Sequence, residues 1–239
     1  MKDELFSDKR MAIGDFEFGR ETARVFDDML IRSVPQYVET QRMMAELTID
    51  FALPGTRVFD LGCSTATTFV NLDPLLPKDV AFVGVDSSPD MLKKAEEKLA
   101  QAHVSRPYEL RCGAIEDVLV DNASVVILNL TLQFVRPIHR PDVIRRIASG
   151  LVEGGCLILV EKILSPNSRL NRLFIDHYYD FKRRNGYSEL EISQKREALE
   201  NVLVPFHGDE NRELLLRNGF AHCDEFMRWY NFCGLVALK

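Results

Sequence analysis

The sequence predicts an α/β fold in which a mostly parallel, Rossmann-like sheet carries helices on both faces. From Arg57 onwards, short runs rich in Val, Ile and Leu alternate with amphipathic helical segments. This alternation favours an open, doubly wound sheet. The runs are almost continuously apolar, which is typical of parallel strands that are covered on both faces. In such sheets ligands bind at the carboxyl ends of the strands.

The segments before the sheet are expected to be helical. Residues 1–56 form an N-terminal helical extension, with one helix over residues 20–31. Pro35 is expected to open a second helix, because proline is tolerated at a first helical position. In that helix Tyr37, Met44 and Leu47 recur at helical spacing.

The predicted strands cover residues 58–61, 80–85, 108–112, 124–130 and 156–160. Helices are predicted between them at residues 88–100 and 140–151. Residues 165–205 are expected to form a helical insertion, followed by a helix near residues 211–217. Two strands near residues 220–228 and 232–238 complete the sheet with an antiparallel terminal strand.

Length and composition indicate one soluble globular domain spanning residues 1–239. The formal net charge of −6 argues against a nucleic-acid-binding surface. The five cysteines are scattered without a C-x-x-C pair, so we expect neither a metal site nor a disulfide framework. No secretory signal is apparent, and polar residues interrupt the apolar stretches before they reach the length of a membrane span. We therefore expect a cytoplasmic protein with no membrane partner.

The first candidate site is the turn after the first predicted strand. That strand ends in Asp60, and Gly62 follows with small residues behind it. Glycine lets the backbone turn sharply and approach a ligand, and the next helix directs free N–H groups at that ligand. The G-x-G-x-x-G dinucleotide fingerprint is absent. An ordinary structural turn remains the alternative.

The second candidate is Asp86, which closes the next predicted strand 24 residues after Gly62. A carboxylate at this interval can accept hydrogen bonds from both hydroxyls of a ribose. Alternatively, Asp86 only helps to cap the helix that Ser88 and Pro89 begin. The two candidates together favour binding of an adenosyl ligand.

These two turns resemble those of class I S-adenosyl-L-methionine-dependent methyltransferases. In that fold the acid-x-Gly turn holds the methionine part and the second-strand acid holds the ribose. The usual second glycine is missing here. The missing glycine pair and the terminal strand pair make a nicotinamide enzyme the weaker interpretation.

Further segments narrow the resemblance to the carboxy-S-adenosyl-L-methionine synthase family, over nearly the whole chain. The matching segments are residues 6–7, 14–16, 32–37, 128–134, 185–196, 199–202 and 231–232. The segment that ends at Arg196 is specific, because ordinary methyltransferases do not share it. The resemblance implies conversion of S-adenosyl-L-methionine and prephenate to carboxy-S-adenosyl-L-methionine, with release of phenylpyruvate and water.

The resemblance also implies partners. The product would serve a second enzyme that carboxymethylates the wobble uridine of certain tRNAs, so this chain itself needs no tRNA surface. The family forms homodimers, for which the helical insertion is a plausible interface. No metal is implied. An ordinary small-molecule methyltransferase and a non-catalytic adenosyl-binding protein remain the alternative functions.

Individual site residues follow from the resemblance. The positions that match family ligand contacts are Tyr37, Gly62, Cys63, Ser64, Asp86, Ser87, Ala114, Ile115, Asn129 and Arg196. Ser87 stands where asparagine is more usual. Ala114 stands where an aspartate usually accepts from the adenine amino group; the Ile115 N–H, Glu116 or Asp117 is expected to replace that contact. Tyr37 alternatively is a core aromatic.

An anion-binding role for Arg196 can also be inferred from the residues alone. Ser188 and Glu191 form a capping box that starts a helix, and Ile192, Leu199 and Leu203 mark its predicted apolar stripe. Arg196 lies four residues after Ile192 and three before Leu199, on the same face. We therefore expect the guanidinium to point inward, where it requires an anion. A ligand carboxylate fits a guanidinium in two-pronged geometry. In the family this arginine holds the carboxylate of the product, whereas the alternative is an internal salt bridge.

Prephenate carries two carboxylates, so further cations are expected in the pocket. Arg196 and the basic run at residues 182–184 are the candidates. A solvated surface is the usual location for such a run.

Overall fold

The computed structural model describes residues 1–9 and 11–239. Its strands are β1 (Arg57–Leu61), β2 (Ala81–Asp86), β3 (Tyr108–Cys112), β4 (Ala123–Asn129), β5 (Leu151–Leu164), β6 (Phe206–His207), β7 (His222–Trp229) and β8 (Phe232–Leu238). Its α-helices are α1 (Arg20–Ser33), α2 (Tyr37–Phe51), α3 (Thr67–Leu72), α4 (Pro89–Gln101), α5 (Arg140–Gly150), α6 (Ser168–Arg184), α7 (Glu189–Leu199) and α8 (Gly208–Arg217).

The strands form one sheet in the order β3-β2-β1-β4-β5-β8-β7, and β6 pairs with β5. Strands β1 to β5 run parallel to one another. Strand β8 lies antiparallel between β5 and β7. The predicted mostly parallel sheet with an antiparallel terminal strand is confirmed.

Helices cover both faces of this sheet, as predicted. On one face, Phe59 of β1 packs in a buried cluster with Ile144 and Ile147 of α5. On the other, Val58 of β1 packs with Met44 of α2 and neighbouring residues of α3 and α4. Consecutive strand residues thus enter opposite clusters, since side chains alternate along a strand. The expectation that every strand is buried is wrong for β3, which is partly exposed because it lies at the sheet edge.

Several boundaries differ from the predictions. Helix α2 begins at Tyr37 and not at Pro35, because Gln36 takes a left-handed conformation (φ +55°) that interrupts the helical backbone. Strand β5 extends to Leu164, well beyond its apolar run. Helix α8 begins at Gly208, where His207 and Glu210 form a capping box.

The N-terminal extension and the insertion are bound to each other, although they are far apart in sequence. Arg32 donates from Nε to the Asn185 carbonyl (2.8 Å) and from Nη2 to the Gly186 carbonyl (3.0 Å). The Phe16 N–H donates to the Ala198 carbonyl (2.9 Å). These contacts join the matching segments 32–37 and 185–196, and they attach segment 14–16 to helix α7. No described helix is both long and apolar enough to cross a bilayer.

Candidate active site

A cavity of about 720 Å³ opens where β1, β2, β4 and β5 end, beneath the N-terminal extension and the insertion. Its volume suits a small-molecule ligand of nucleoside size. All ten predicted site residues line it: Tyr37, Gly62, Cys63, Ser64, Asp86, Ser87, Ala114, Ile115, Asn129 and Arg196. The structure therefore brings the predicted positions together, and their individual ligand contacts stay predictions.

The turn after β1 is shaped by left-handed backbone conformations. Gly62 has φ +84°, and a Cβ atom there would lie 2.3 Å from Oγ1 of Thr131. Ser64 and Ala66 also have positive φ angles, of 47° and 59°. The turn thus forms without a second glycine, at a cost of about 1–3 kcal/mol for each non-glycine residue in this region.

Asp86 connects the two turns. Its Oδ2 accepts from the Ser64 N–H (3.0 Å), and its Oδ1 accepts from the Ser88 N–H (2.9 Å). Asp86 therefore both helps to cap helix α4 and faces the cavity, so the two roles considered from the sequence are compatible. Each carboxylate oxygen has a further lone pair, so two ribose hydroxyls can still donate to Asp86.

Asp60 and Cys63 form the buried floor of the cavity. The pKa of Asp60 is raised to about 7 by burial and by the nearby Asp86 carboxylate, while a hydrogen bond from Thr68 opposes the rise. A cationic ligand would favour the ionised form of such a carboxyl group. Burial also raises the pKa of the Cys63 thiol well above its ordinary value, so this cysteine is no thiolate nucleophile.

At the adenine side, Ala114 is exposed and Ile115 is buried. Glu116 is partly buried and lines the cavity. Asp117 is exposed and is not among the lining residues. Of the two acids considered from the sequence, Glu116 is therefore the one placed to replace the missing aspartate.

Tyr37 and Asn129 also line the cavity. Tyr37 is partly buried, and its hydroxyl accepts from Nε2 of Gln41 (3.3 Å). Burial raises the pKa of Tyr37, so its phenol stays protonated and can donate to a ligand. Asn129 ends β4 with its side chain partly buried. The first turn of α2, where Tyr37 begins the helix, thus faces the cavity as well as the core.

Arg196 is not buried, although the apolar spacing of α7 predicts that it points inward. The buried positions of α7 include Ile192 and Lys195, whereas Arg196 is exposed. The predicted apolar stripe is incomplete because α7 ends at Leu199, so Leu203 lies beyond the helix. Arg196 still lines the cavity, and it makes no ion pair with another described residue. The internal salt bridge considered from the sequence is absent from the described part of the chain.

The basic run at residues 182–184 divides between two environments. Arg183 is exposed and pairs with Asp180 and Glu189. Lys182 is only 5% exposed and lines the cavity. A solvated surface is therefore the correct description of Arg183 and Arg184 and is wrong for Lys182, because α6 packs one of its faces over the cavity.

Two further lysines that the sequence analysis did not single out also line the cavity. Lys162 lies on β5 and Lys195 on α7. The available signal for Lys162 was a charged pair, Glu161 and Lys162, directly after the apolar run of β5. Burial lowers the pKa of Lys162 and of Lys195 to about 8 each, and it lowers that of Lys182 well below its usual value. The three ammonium groups thus lie in a poorly solvated place.

Comparisons with known proteins agree with this geometry. A family model described as a methyltransferase domain matches residues 58–155. The chain is 51% identical to the carboxy-S-adenosyl-L-methionine synthase of Methylococcus capsulatus, with 100% of this chain and 99% of that protein covered. It is 44% identical to the synthase of Desulforapulum autotrophicum, with 100% and 97% covered.

The chain belongs to the carboxy-S-adenosyl-L-methionine synthase family. The family resemblance drawn from the sequence is confirmed, because full-length identities of this size place the chain within that family.

Solved structures show the fold of this synthase family member independently. An O-methyltransferase family protein from Burkholderia thailandensis matches with a TM-score of 0.65 at 16% identity, covering 92% of this chain and 60% of that one. A candidate S-adenosyl-L-methionine-dependent methyltransferase from Methanococcus maripaludis matches with a TM-score of 0.64 at 16% identity, covering 96% and 97%. The class I methyltransferase fold is therefore shown.

Proposed function

We propose that this protein converts S-adenosyl-L-methionine and prephenate to carboxy-S-adenosyl-L-methionine, phenylpyruvate and water. The observation that carries the proposal is the unpaired guanidinium of Arg196 at the cavity. A free cation beside an adenosyl cavity suits a ligand with a carboxylate near its sulfonium. The names of the full-length relatives support the same reaction.

The cavity offers opposite charges to the two substrates. Asp60 and Asp86 lie at the ends of β1 and β2, where they suit the cationic and hydroxyl groups of S-adenosyl-L-methionine. Lys162 lies on β5, which is separated from β1 by β4 alone. Two strand spacings amount to about 10 Å. A sulfonium near Asn129 would therefore lie between an acidic and a basic wall.

The proposed reaction needs no protein nucleophile. The sulfonium acidifies its methyl group, and loss of one proton gives an ylide. Prephenate loses its ring carboxylate as carbon dioxide and its ring hydroxyl as hydroxide, which accepts that proton and forms water. The ylide carbon then bonds to the carbon dioxide. Arg196 stabilises the carboxylate as its charge develops, which is where a fixed cation lowers a barrier.

We further propose a homodimer and a downstream partner. Helix α6 exposes Leu170 (46%) and Leu173 (43%), which supports an interface on the insertion. The product would be consumed by an enzyme that carboxymethylates a tRNA wobble uridine, and the net charge of −6 suits a chain that does not itself hold RNA. A cytoplasmic location follows from that role.

The test is incubation with S-adenosyl-L-methionine, with and without prephenate, followed by mass spectrometry. The expected result is a carboxylated adenosyl species that grows only when prephenate is present. Methyl transfer to an added acceptor would replace the proposal with an ordinary methyltransferase. Ligand that is bound but unchanged under every condition would leave an adenosyl-binding protein.

Arg196→Ala tests the role of the guanidinium. Loss of a charge-assisted hydrogen bond costs about 1.5–3 kcal/mol, so affinity for carboxy-S-adenosyl-L-methionine should fall roughly 10- to 100-fold. Affinity for S-adenosyl-L-methionine should change little, because its methyl group makes no ion pair. Isothermal titration of both ligands measures this, with Arg184→Ala as the control for loss of an exposed arginine nearby. Equal weakening of both ligands would remove the assigned role.

A further inference from the structure

The three cavity lysines come from three separate elements. Lys162 lies on β5, Lys182 on α6 and Lys195 on α7. The Nζ atoms of Lys162 and Lys182 lie 5.0 Å and 4.5 Å from the centroid of the same Tyr178 ring. Each of these two charges disfavours the other, and Lys195 adds a third. The fold thus gathers like charges where water is scarce.

The surrounding acids do not neutralise these charges. Asp3 is the one described carboxylate within 4.0 Å of any of the three ammonium groups, at 3.7 Å from Nζ of Lys195. That carboxylate also accepts from the Tyr187 hydroxyl (2.5 Å) and the Leu5 N–H (3.3 Å). Nζ of Lys195 is buried without a hydrogen-bond partner. Glu200 lines the cavity but is exposed and pairs with none of the three lysines.

Such an arrangement costs stability. Moving an ammonium group out of water carries a large free-energy penalty. The cation–π contacts with Tyr178 offset only part of that penalty. Two buried lysines and a partly buried one, with Asp3 as the single described carboxylate near them, therefore suit an anionic ligand that supplies the missing negative charge.

We infer that Lys162, Lys182 and Lys195 form the binding site for the two carboxylates of prephenate. This inference rests on the proposed function, and it names the groups that select the second substrate. A dianion matches three cations of which one is partly compensated by Asp3. Both carboxylates of prephenate branch from one ring carbon, one directly and the other at the end of the pyruvyl chain, so cations from neighbouring elements can reach both.

The carboxylate that is transferred has only a short distance to cover between the lysines and Arg196. Lys195 and Arg196 are neighbours on α7, and both line the cavity. A carboxylate held at the lysines leaves prephenate as carbon dioxide, bonds to the ylide carbon, and is received as a carboxylate by Arg196. Phenylpyruvate retains only one carboxylate, so it binds the lysines more weakly than prephenate does. This difference in affinity favours release of phenylpyruvate.

The test uses Lys162→Met, Lys182→Met and Lys195→Met in the full chain, because methionine preserves length and apolar volume. We expect the KM for prephenate to rise about 10- to 100-fold in each variant, with the Kd for S-adenosyl-L-methionine within about threefold of wild type. Lys93→Met, at an exposed position of α4, is the control and should leave both values unchanged. Thermal unfolding shows whether each variant is folded, and Lys182→Arg should restore part of the lost affinity.

A second measurement separates binding of a dianion from a structural role. Wild-type protein should bind prephenate more tightly than phenylpyruvate, and the methionine variants should lose most of that preference in isothermal titration. A packing role alone would weaken both ligands together and would leave the preference intact, which would overturn the inference.

The outcomes distinguish this inference from the proposed function. If wild-type protein forms the product while the variants keep the wild-type KM, the lysine site is wrong and the synthase reaction stands. If prephenate binds in a lysine-dependent manner without product formation, the site stands and the proposed reaction fails. If wild-type protein does not bind prephenate, both fail.

Discussion

At the scale of single residues, burial acts on charges of both signs within one cavity. It raises the pKa of Asp60 and lowers the pKa of Lys162, Lys182 and Lys195. None of these groups has an opposite charge that fully compensates its burial, so each is held at a cost. Residues held at such a cost in a cleft are typical of binding and catalytic sites.

Ala114 offers a test of the adenine side. An aspartate at this position can accept a hydrogen bond from the exocyclic amino group of adenine, which alanine cannot. We expect Ala114→Asp to tighten S-adenosyl-L-methionine binding by roughly 3- to 10-fold, because one such bond contributes about 0.5–1.5 kcal/mol. Isothermal titration measures it, with Cys112→Asp as an exposed control on the same segment. Unchanged affinity would show that this position does not reach the adenine.

At the scale of elements, a buried arginine joins the insertion to the sheet. Arg140 is 1% exposed and donates to the carbonyls of Val135 (3.0 Å), Gln133 (3.3 Å) and Val204 (2.6 Å). Its charge also favours ionisation of buried Glu161, whose carboxylate accepts from the Leu132 N–H (3.0 Å). These bonds hold the connections after β4 and after α7 against the cavity.

Arg140→Leu should therefore lower the free energy of unfolding by about 3 kcal/mol, because it leaves two buried carbonyls and one partly buried carbonyl without this donor. Urea denaturation measures the change. Arg145→Leu, on the same helix, removes an exposed pair with Asp142 and an exposed hydrogen bond to Asn218, and it should cost less than about 1 kcal/mol. Similar losses in both variants would mean that the buried bonds add no stability.

At the scale of the whole molecule, the ligand-free protein carries unfavourable charges that substrates are expected to compensate. Glu161 has a pKa raised to about 8, so its contribution to stability is present below its unfolded pKa near 4.5 and is lost as the pH rises through 8. Lys162 behaves oppositely, because its folded pKa of about 8 lies below the unfolded value of 10.5. Its cost is full below pH 8 and disappears as the pH rises towards 10.5.

The low pKa of Lys162 predicts that Lys162→Met raises the free energy of unfolding by an amount that depends on pH. Without ligand, the variant should be more stable than wild type at pH 7, by about 1–2 kcal/mol once partial exposure is allowed for. The difference should shrink as the pH rises from 8 to 10.5, where the unfolded lysine also loses its proton. Chemical denaturation across that range measures it, and a difference that is independent of pH would contradict the assigned titration.

Much of the fold was predictable because its signals are local. The apolar runs located β1 to β5, and the capping box located α7 at Glu189 directly after Ser188. The acid-x-Gly turn and Asp86 marked the cavity, because parallel strands bring their carboxyl ends to one edge. The helix after the Gly62 turn was expected without bounds, and the start of α2 was misplaced, since both helices begin after left-handed residues that local patterns did not reveal.

The sequence by itself determined the alternation of strands and helices, the family, and ten of the residues that meet at the cavity. Only the tertiary structure decided that Lys195 rather than Arg196 takes the buried position on α7, and that Lys182 faces the cavity beside Lys162. Hydrophobic spacing reports which residues can share a face of one element. Which face packs on a distant segment depends on contacts between residues far apart in sequence, such as those of Arg32 with Asn185 and Gly186.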